Sequence, residues 1–346
     1  MANILYSLSG EGSGHSSRAK EVLTHLQKQG HNLTITSYDK GVKNLSPFFT
    51  VEEIFGLHFV YKKNQVQYLP TVLKNITGVP EGIKNIEKFS RLIKEKEIDL
   101  IITDFEPFAC YVGNQKKIPV ISLDNQHRLT KAKIEFPKKY QLEAQAAKLV
   151  TQLMIPKAEA YLSITFFPTQ PTDKKAFFFP PILRSEVLKT QPRDGDTILV
   201  YFTSPYKEII PILKSIRKKF ICYGFNRSGR DGNLVFKNPS SENFLKDLAS
   251  CEAVIANSGF TLVTEALHLH KPYLGLPVQG QFEQILNAYY IEKLEYGRYY
   301  DELDREKIEA FLYNLDVFKK NVKKYKRQDN SLILKKLDQL IKNMLS

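Results

Sequence analysis

Two hydrophobic rhythms alternate along the chain. Short apolar runs of four to six residues read as buried strands: Asn3 to Leu8, Asn32 to Thr36, Ile98 to Thr103, Ile118 to Leu123, Ala160 to Ile164 and Ala176 to Phe179. A second series follows at Thr197 to Phe202, Phe220 to Phe225, Leu234 to Phe236, Ala253 to Ala256, Tyr273 to Leu276 and, more briefly, Gly297 to Tyr300. Between them lie segments of helical period, such as Ala19, Val22, Leu23 and Leu26, then Glu143 to Ile155 and Glu242 to Leu248. Strands without polar alternation, separated by helices, predict parallel sheets covered on both faces. The polar stretch Lys189 to Asp196 divides the two series and reads as a linker. The expected organisation is therefore a first doubly wound domain over 1–188 and a second over 189–328. A final helix over 329–346 carries Leu334, Leu337, Ile341 and Leu345 at helical spacing.

The polar residues that interrupt this pattern gather at predicted strand ends, where α/β folds place their chemistry. The first strand runs into Ser9-Gly10-Glu11-Gly12-Ser13-Gly14-His15-Ser16-Ser17-Arg18, a glycine-rich turn with room for a ligand. It is not the dinucleotide fingerprint, because the third glycine is misplaced and no acidic residue ends the second strand. His15 reads either as a base or as a helix-capping side chain. The strand ending at Thr103 delivers Asp104 and Glu106, and the next delivers Asp124-Asn125-Gln126-His127-Arg128, five polar residues that suit a loop facing a substrate. Asp194-Gly195-Asp196 looks like a carboxylate metal motif but sits in the linker, where a solvated turn is the better reading.

The most informative stretch is Asn257 to Asn287. A strand ends at Ala256, turns through Asn257-Ser258-Gly259 and enters a helix at Phe260, leaving unpaired N–H groups and the positive end of a helix dipole at the sheet edge. A phosphate or diphosphate suits that position. Glu265 lies about two turns along the same helix, and Gln281, Glu283, Gln284 and Asn287 follow the next apolar run as groups suited to sugar hydroxyls.

The ordered set Ser-Gly-x(5)-Glu-Ala followed by Gln-x-Glu-Gln-x-x-Asn-Ala resembles the donor site of GT-B glycosyltransferases. The branch in question contains the plant and macrolide UDP-glycosyltransferases and the N-acetylglucosaminyltransferase of peptidoglycan lipid intermediates. The resemblance extends to the turn at residues 9–18 and implies an inverting, metal-independent sugar transfer from a UDP-sugar to a hydroxyl acceptor. In that reading His15 is the general base and Asp104 its partner, with Glu106 in reserve. Donor contacts fall to Gly14, Arg184, Thr203, Ser204, Gly224, Phe225, Asn257, Ser258, Gly259, Phe260, Glu265, Gln281, Glu283 and Gln284. Acceptor contacts fall to Glu106, Asn125, Gln126 and His127. Pro180-Pro181-Ile182-Leu183-Arg184 is similar to the family's crossover segment, from which Arg184 would reach the donor phosphates. The loop Thr203-Ser204-Pro205 lacks the glycines usual in that family. No cofactor or metal is expected. A non-hydrolysing UDP-sugar epimerase and a non-catalytic sugar-nucleotide binder remain the alternatives.

Composition narrows the partners. The chain of 346 residues carries 50 Lys and Arg against 37 Asp and Glu, a net charge of +13 that favours anionic partners. With no zinc-finger, helix-turn-helix or RNA-binding signature, nucleic acid is not the expected one. Aromatic and basic residues mix in Phe48-Phe49-Thr50-Val51, Leu57-His58-Phe59-Val60-Tyr61 and Gln67 to Ile76. Together with the basic tail they suggest a lipid-linked acceptor or peripheral contact with anionic membrane. Cys110, Cys222 and Cys251 sit in apolar stretches and read as reduced thiols, so the expected setting is the cytoplasm, with the inner membrane face as the peripheral site.

Overall fold

The computed structural model describes residues 1–56, 61–62, 65–66, 79–238 and 240–345. The aromatic segments at 57–60 and 67–76, from which membrane contact was partly expected, lie outside the described residues. Strands β1 (Asn3–Leu8), β2 (Asn32–Ser37), β3 (Val51–Glu53), β6 (Leu100–Asp104), β7 (Val120–Asp124), β8 (Ala160–Ile164) and β9 (Ala176–Phe179) form one sheet in the order β3-β2-β1-β6-β7-β8-β9. Between β3 and β6, β4 (Tyr61–Lys62) pairs antiparallel with β5 (Gln65–Val66) in a separate two-stranded sheet. All pairings of the seven-stranded sheet are parallel. A second sheet orders β12 (Gly229–Asp231), β13 (Leu234–Phe236), β11 (Lys219–Tyr223), β10 (Thr197–Tyr201), β14 (Ala253–Ala256), β15 (Tyr273–Gly275) and β16 (Gly297–Tyr299). Only β12 runs antiparallel there.

This is the two-sheet α/β architecture expected from the pattern. The central strands are largely apolar because both faces are covered: Leu100 to Asp104, Val120 to Asp124 and Ala253 to Ala256 are buried at every position. Each sheet reverses its strand order once, between β1 and β6 in the first and between β10 and β14 in the second. At those two points neighbouring connections leave in opposite directions and open a crevice at the carboxyl ends of the strands.

The helices differ more from expectation. The first begins at Gly14, so His15 and Arg18 belong to its opening turns rather than to the loop before it. Val79–Glu95 forms a long helix in a region to which the sequence pattern assigned no element. Pro107–Lys116 is also helical, with Pro107 at its first position and Glu106 as its cap, accepting from the N–H groups of Phe108 and Ala109 at 2.9 Å each. The last helix, Ser331–Leu345, buries Ile333, Leu337 and Ile341, each contributing about 1.5–3 kcal/mol by leaving water. The stripe is rotated one residue from the expected one, since Leu334 is only half-buried and Leu345 is exposed. This helix returns to the first domain, where Asp338 meets His25 Nε2 at 2.8 Å and Lys336 covers the Phe177 ring. Just before it, the Asn330 amide bonds both the N–H and the carbonyl of Leu183. No helix of the described residues is long and apolar enough to cross a membrane.

Candidate active site

At the switch point of the first sheet, Leu8 of β1 lies beside Asp104 of β6. The chain then turns through Gly12, whose φ of +77° belongs to the left-handed region. It enters the helix at Gly14, where a β-carbon would stand 2.7 Å from Thr261 Oγ1 of the second domain. That absent side chain lets the two domains approach at this turn. His15 and Arg18, three residues apart on one helix face, both reach Asp104. His15 Nδ1 is 2.7 Å from Asp104 Oδ1, while Arg18 donates through Nε to Oδ2 at 2.7 Å and through Nη2 to Oδ1. Asp104 is fully buried and Arg18 nearly so, an arrangement stable only because each charge satisfies the other.

Arg18 was quoted in the motif but given no role, although an arginine three residues after the histidine was a readable signal. Its Nη2 also stands 2.8 Å from His15 Nδ1. A guanidinium only donates, so the imidazole has two choices. Protonated at Nδ1 it donates to Asp104, and unprotonated there it accepts from Arg18. The first tautomer leaves the lone pair on Nε2, which makes no hydrogen bond among the described residues.

The loop after β7 is not solvated. Asp124, Asn125, Gln126, His127 and Arg128 are all buried, because the loop is pressed against the second domain. Asn125 donates to Glu283 Oε1 at 2.8 Å and Gln126 reaches Oε2 at 3.4 Å. His127 turns inward, with Nδ1 2.6 Å from Asp124 Oδ2 and its ring against Tyr161. The adjacent His127 is foremost among the groups that hold Asp124 down at about 2, against the opposing effect of burial. Glu106 is turned into the fold. Its carboxylate caps the helix that follows and accepts from Ser7 Oγ at 2.9 Å, and burial pushes its pKa up to about 7.

In the second domain the switch point is closed by Asn257. Its Oδ1 accepts from Thr203 N and Oγ1 at 3.1 and 3.0 Å, and its Nδ2 donates to the Leu276 carbonyl, so it ties together the ends of β10, β14 and β15. Ser204 is exposed beside it. Gly224, at φ +87°, passes so close to the Phe202 carbonyl that no β-carbon fits. Phe225 is packed in the core against Phe202 and Phe236. The helix Phe260–His268 starts after Gly259 with no side chain capping it. Above Gly259 there is open space.

Arg184 and Glu265 find each other. Nε and Nη2 of Arg184 donate to the two carboxylate oxygens at 2.7 and 2.8 Å, a fork-to-fork pair. The crossover segment thereby grips the second domain through Glu265. Gln284 links to Gln281 and receives the Val278 N–H, while Asn287 donates to the Ser258 carbonyl at 2.8 Å. Arg128 was expected only as one of the five polar residues of a substrate-facing loop, with no role of its own.

Two doubly wound domains meeting at their switch points, one offering a histidine-carboxylate pair and the other an uncapped helix end, define a GT-B glycosyltransferase. The chain belongs to glycosyl transferase family 1, whose family model matches residues 2–316. It is 23% identical over 326 residues to an uncharacterised glycosyltransferase of Methanosarcina acetivorans, covering 85% of this chain and 84% of that one. Among solved structures it is similar to the glycotransferase of kitacinnamycin, with a TM-score of 0.71 at 13% identity over the full length of both chains. It is also similar to a UDP-glucosyltransferase from Polygonum tinctorium, with a TM-score of 0.70 at 14% identity over 100% of this chain and 99% of that one.

Proposed function

We propose that the protein transfers a sugar, with inversion, from a UDP-sugar to an acceptor hydroxyl, using His15 as general base. The observation that carries this reading is His15 held by Asp104 at one switch point and the uncapped helix end at the other, where the domains approach so closely that a β-carbon at Gly14 would stand 2.7 Å from Thr261 Oγ1. His15 Nε2 takes the proton as the hydroxyl attacks the anomeric carbon, and Asp104 steadies the resulting imidazolium through Nδ1–H. The diphosphate departs on the opposite face, its growing charge met by the N–H groups that open helix Phe260–His268, so the route calls on no metal. In this reading Glu265, whose two carboxylate oxygens accept from Arg184, also accepts from the ribose hydroxyls. Glu283, Gln284 and Gln281 border the sugar.

The choice of UDP is supported by the activity named for the Polygonum tinctorium neighbour. For the acceptor, half-exposed Phe48 beside Lys20 and the basic tail favour a lipid-linked or membrane-proximal hydroxyl compound, met from the cytoplasmic side. A panel of nucleotide sugars scored by thermal stabilisation identifies the donor, and transfer is then compared between wild type and His15→Ala. The variant should bind UDP as wild type does and lose about 10²–10⁴-fold in transfer rate. Undiminished transfer would return His15 to a purely structural role.

A further inference from the structure

Arg128 is the largest fully buried side chain among the described residues, and none of its three guanidinium nitrogens has a hydrogen-bond partner there. The facing carboxylate, Glu283, lies 3.8 Å from Nη2, beyond hydrogen-bond reach, and already accepts from Asn125. Otherwise the guanidinium rests on rings, 4.9 Å from the centroid of Phe260 and 5.6 Å from that of Phe167. Burial pushes its pKa down to about 10, which leaves it cationic at neutral pH. A buried cation with no hydrogen bond is costly to maintain, and an arginine fork matches a two-oxygen anion.

The surroundings point to where that anion sits. Phe260 is the first residue of the uncapped helix Phe260–His268, so the guanidinium borders the dipole's positive end from the opposite domain. Ser258 Oγ, at the same turn, is buried and also without a hydrogen-bond partner among the described residues, and the space above Gly259 is open. Arg184, the arginine expected to meet the phosphates, is directed at Glu265.

We propose that Arg128 and the N-terminus of helix Phe260–His268 receive an oxyanion of the donor between them, one group from each domain. The inference rests on the donor reading above. The oxyanion has two sources with the same chemistry: the donor diphosphate, or a carboxylate on the sugar being transferred. Either way Arg128 binds through a charge-assisted fork and couples donor binding to contact between the domains.

The test compares wild type with Arg128→Met and Arg128→Lys by calorimetry against inorganic pyrophosphate, UDP, UDP-glucose and UDP-glucuronate, with melting temperatures alongside. Arg128→Met should melt at or above wild type, since it removes a buried charge that makes no hydrogen bond and keeps the aliphatic bulk. Its affinity should fall about 10- to 100-fold; Arg128→Lys, which keeps the charge without the fork, should fall less. Loss for pyrophosphate and UDP assigns the diphosphate. Unchanged UDP binding with loss for UDP-glucuronate alone assigns the sugar carboxylate. Wild-type affinities in both variants overturn the proposal, as does a lowered melting temperature with binding intact, which would make Arg128 a seam between the domains. Wild-type protein that binds pyrophosphate through Arg128 but no UDP compound would instead sink the donor reading and leave the oxyanion site standing.

Discussion

Replacing Asp104 by Asn tests the first-domain cluster in two currencies at once. The fully buried carboxylate takes Nε and Nη2 of Arg18 and faces His15 Nδ1 at 2.7 Å. Asparagine keeps the shape but presents one N–H₂ group to donors and removes the charge that neutralises Arg18. Breaking one side of a buried ion pair costs about 3–5 kcal/mol. At about 2–4 °C per kcal/mol for a domain of this size, the first domain should melt about 6–20 °C lower. Transfer, measured at a temperature where both proteins are folded, should fall about 10²–10⁴-fold, because His15 loses the acceptor that selects its Nδ1–H tautomer. Donor affinity should hold, since the helix end at Gly259 is untouched. Adding Arg18→Met to Asp104→Asn should recover part of the stability by removing the stranded cation, but no transfer. An Asp104→Asn protein that melts with wild type and transfers within a few-fold of it would refute both halves of this reasoning.

Glu265→Ala should weaken UDP binding by about 1.5–3 kcal/mol, through loss of a charged acceptor for the ribose and release of Arg184 from its pair; unchanged calorimetric affinity in a folded variant would remove Glu265 from the donor site. Glu106 titrates at about 7 when folded against an ordinary 4.5. A raised carboxyl stabilises the fold below its unfolded pKa and loses that contribution as pH rises through the folded one. Glu106→Gln should therefore gain about 2–3 kcal/mol relative to wild type between pH 5 and 8 in denaturant titrations, and parallel profiles would contradict the assignment. Binding to anionic vesicles should fall steeply with added salt, since surface attraction is screened over about 8–10 Å at physiological ionic strength. Salt-insensitive binding, or none, would favour an acceptor away from the membrane.

Much of this architecture is local and was therefore legible in the chain. Apolar runs bounded by small-residue turns determine the strands of both sheets, because a strand buried on two faces tolerates little polarity. The turn at Ser258-Gly259 and the helix from Phe260 follow from residues adjacent in sequence. So does the delivery of His15 and Asp104 to strand ends. What the sequence could not determine is which polar groups satisfy one another once water is excluded. Arg18 and Asp104 are 86 residues apart, Arg184 and Glu265 are 81 apart, and Asn125 meets Glu283 across 158. Those pairings are chosen by strand order and by how the domains approach, so only the tertiary structure decided them. It made Glu106 a helix cap, closed the loop after β7 against the second domain and left Arg128 buried without a hydrogen-bond partner among the described residues. The physical reason is that secondary structure depends on neighbours along the chain, whereas the state of a buried charge depends on whatever the fold brings within about 3 Å of it.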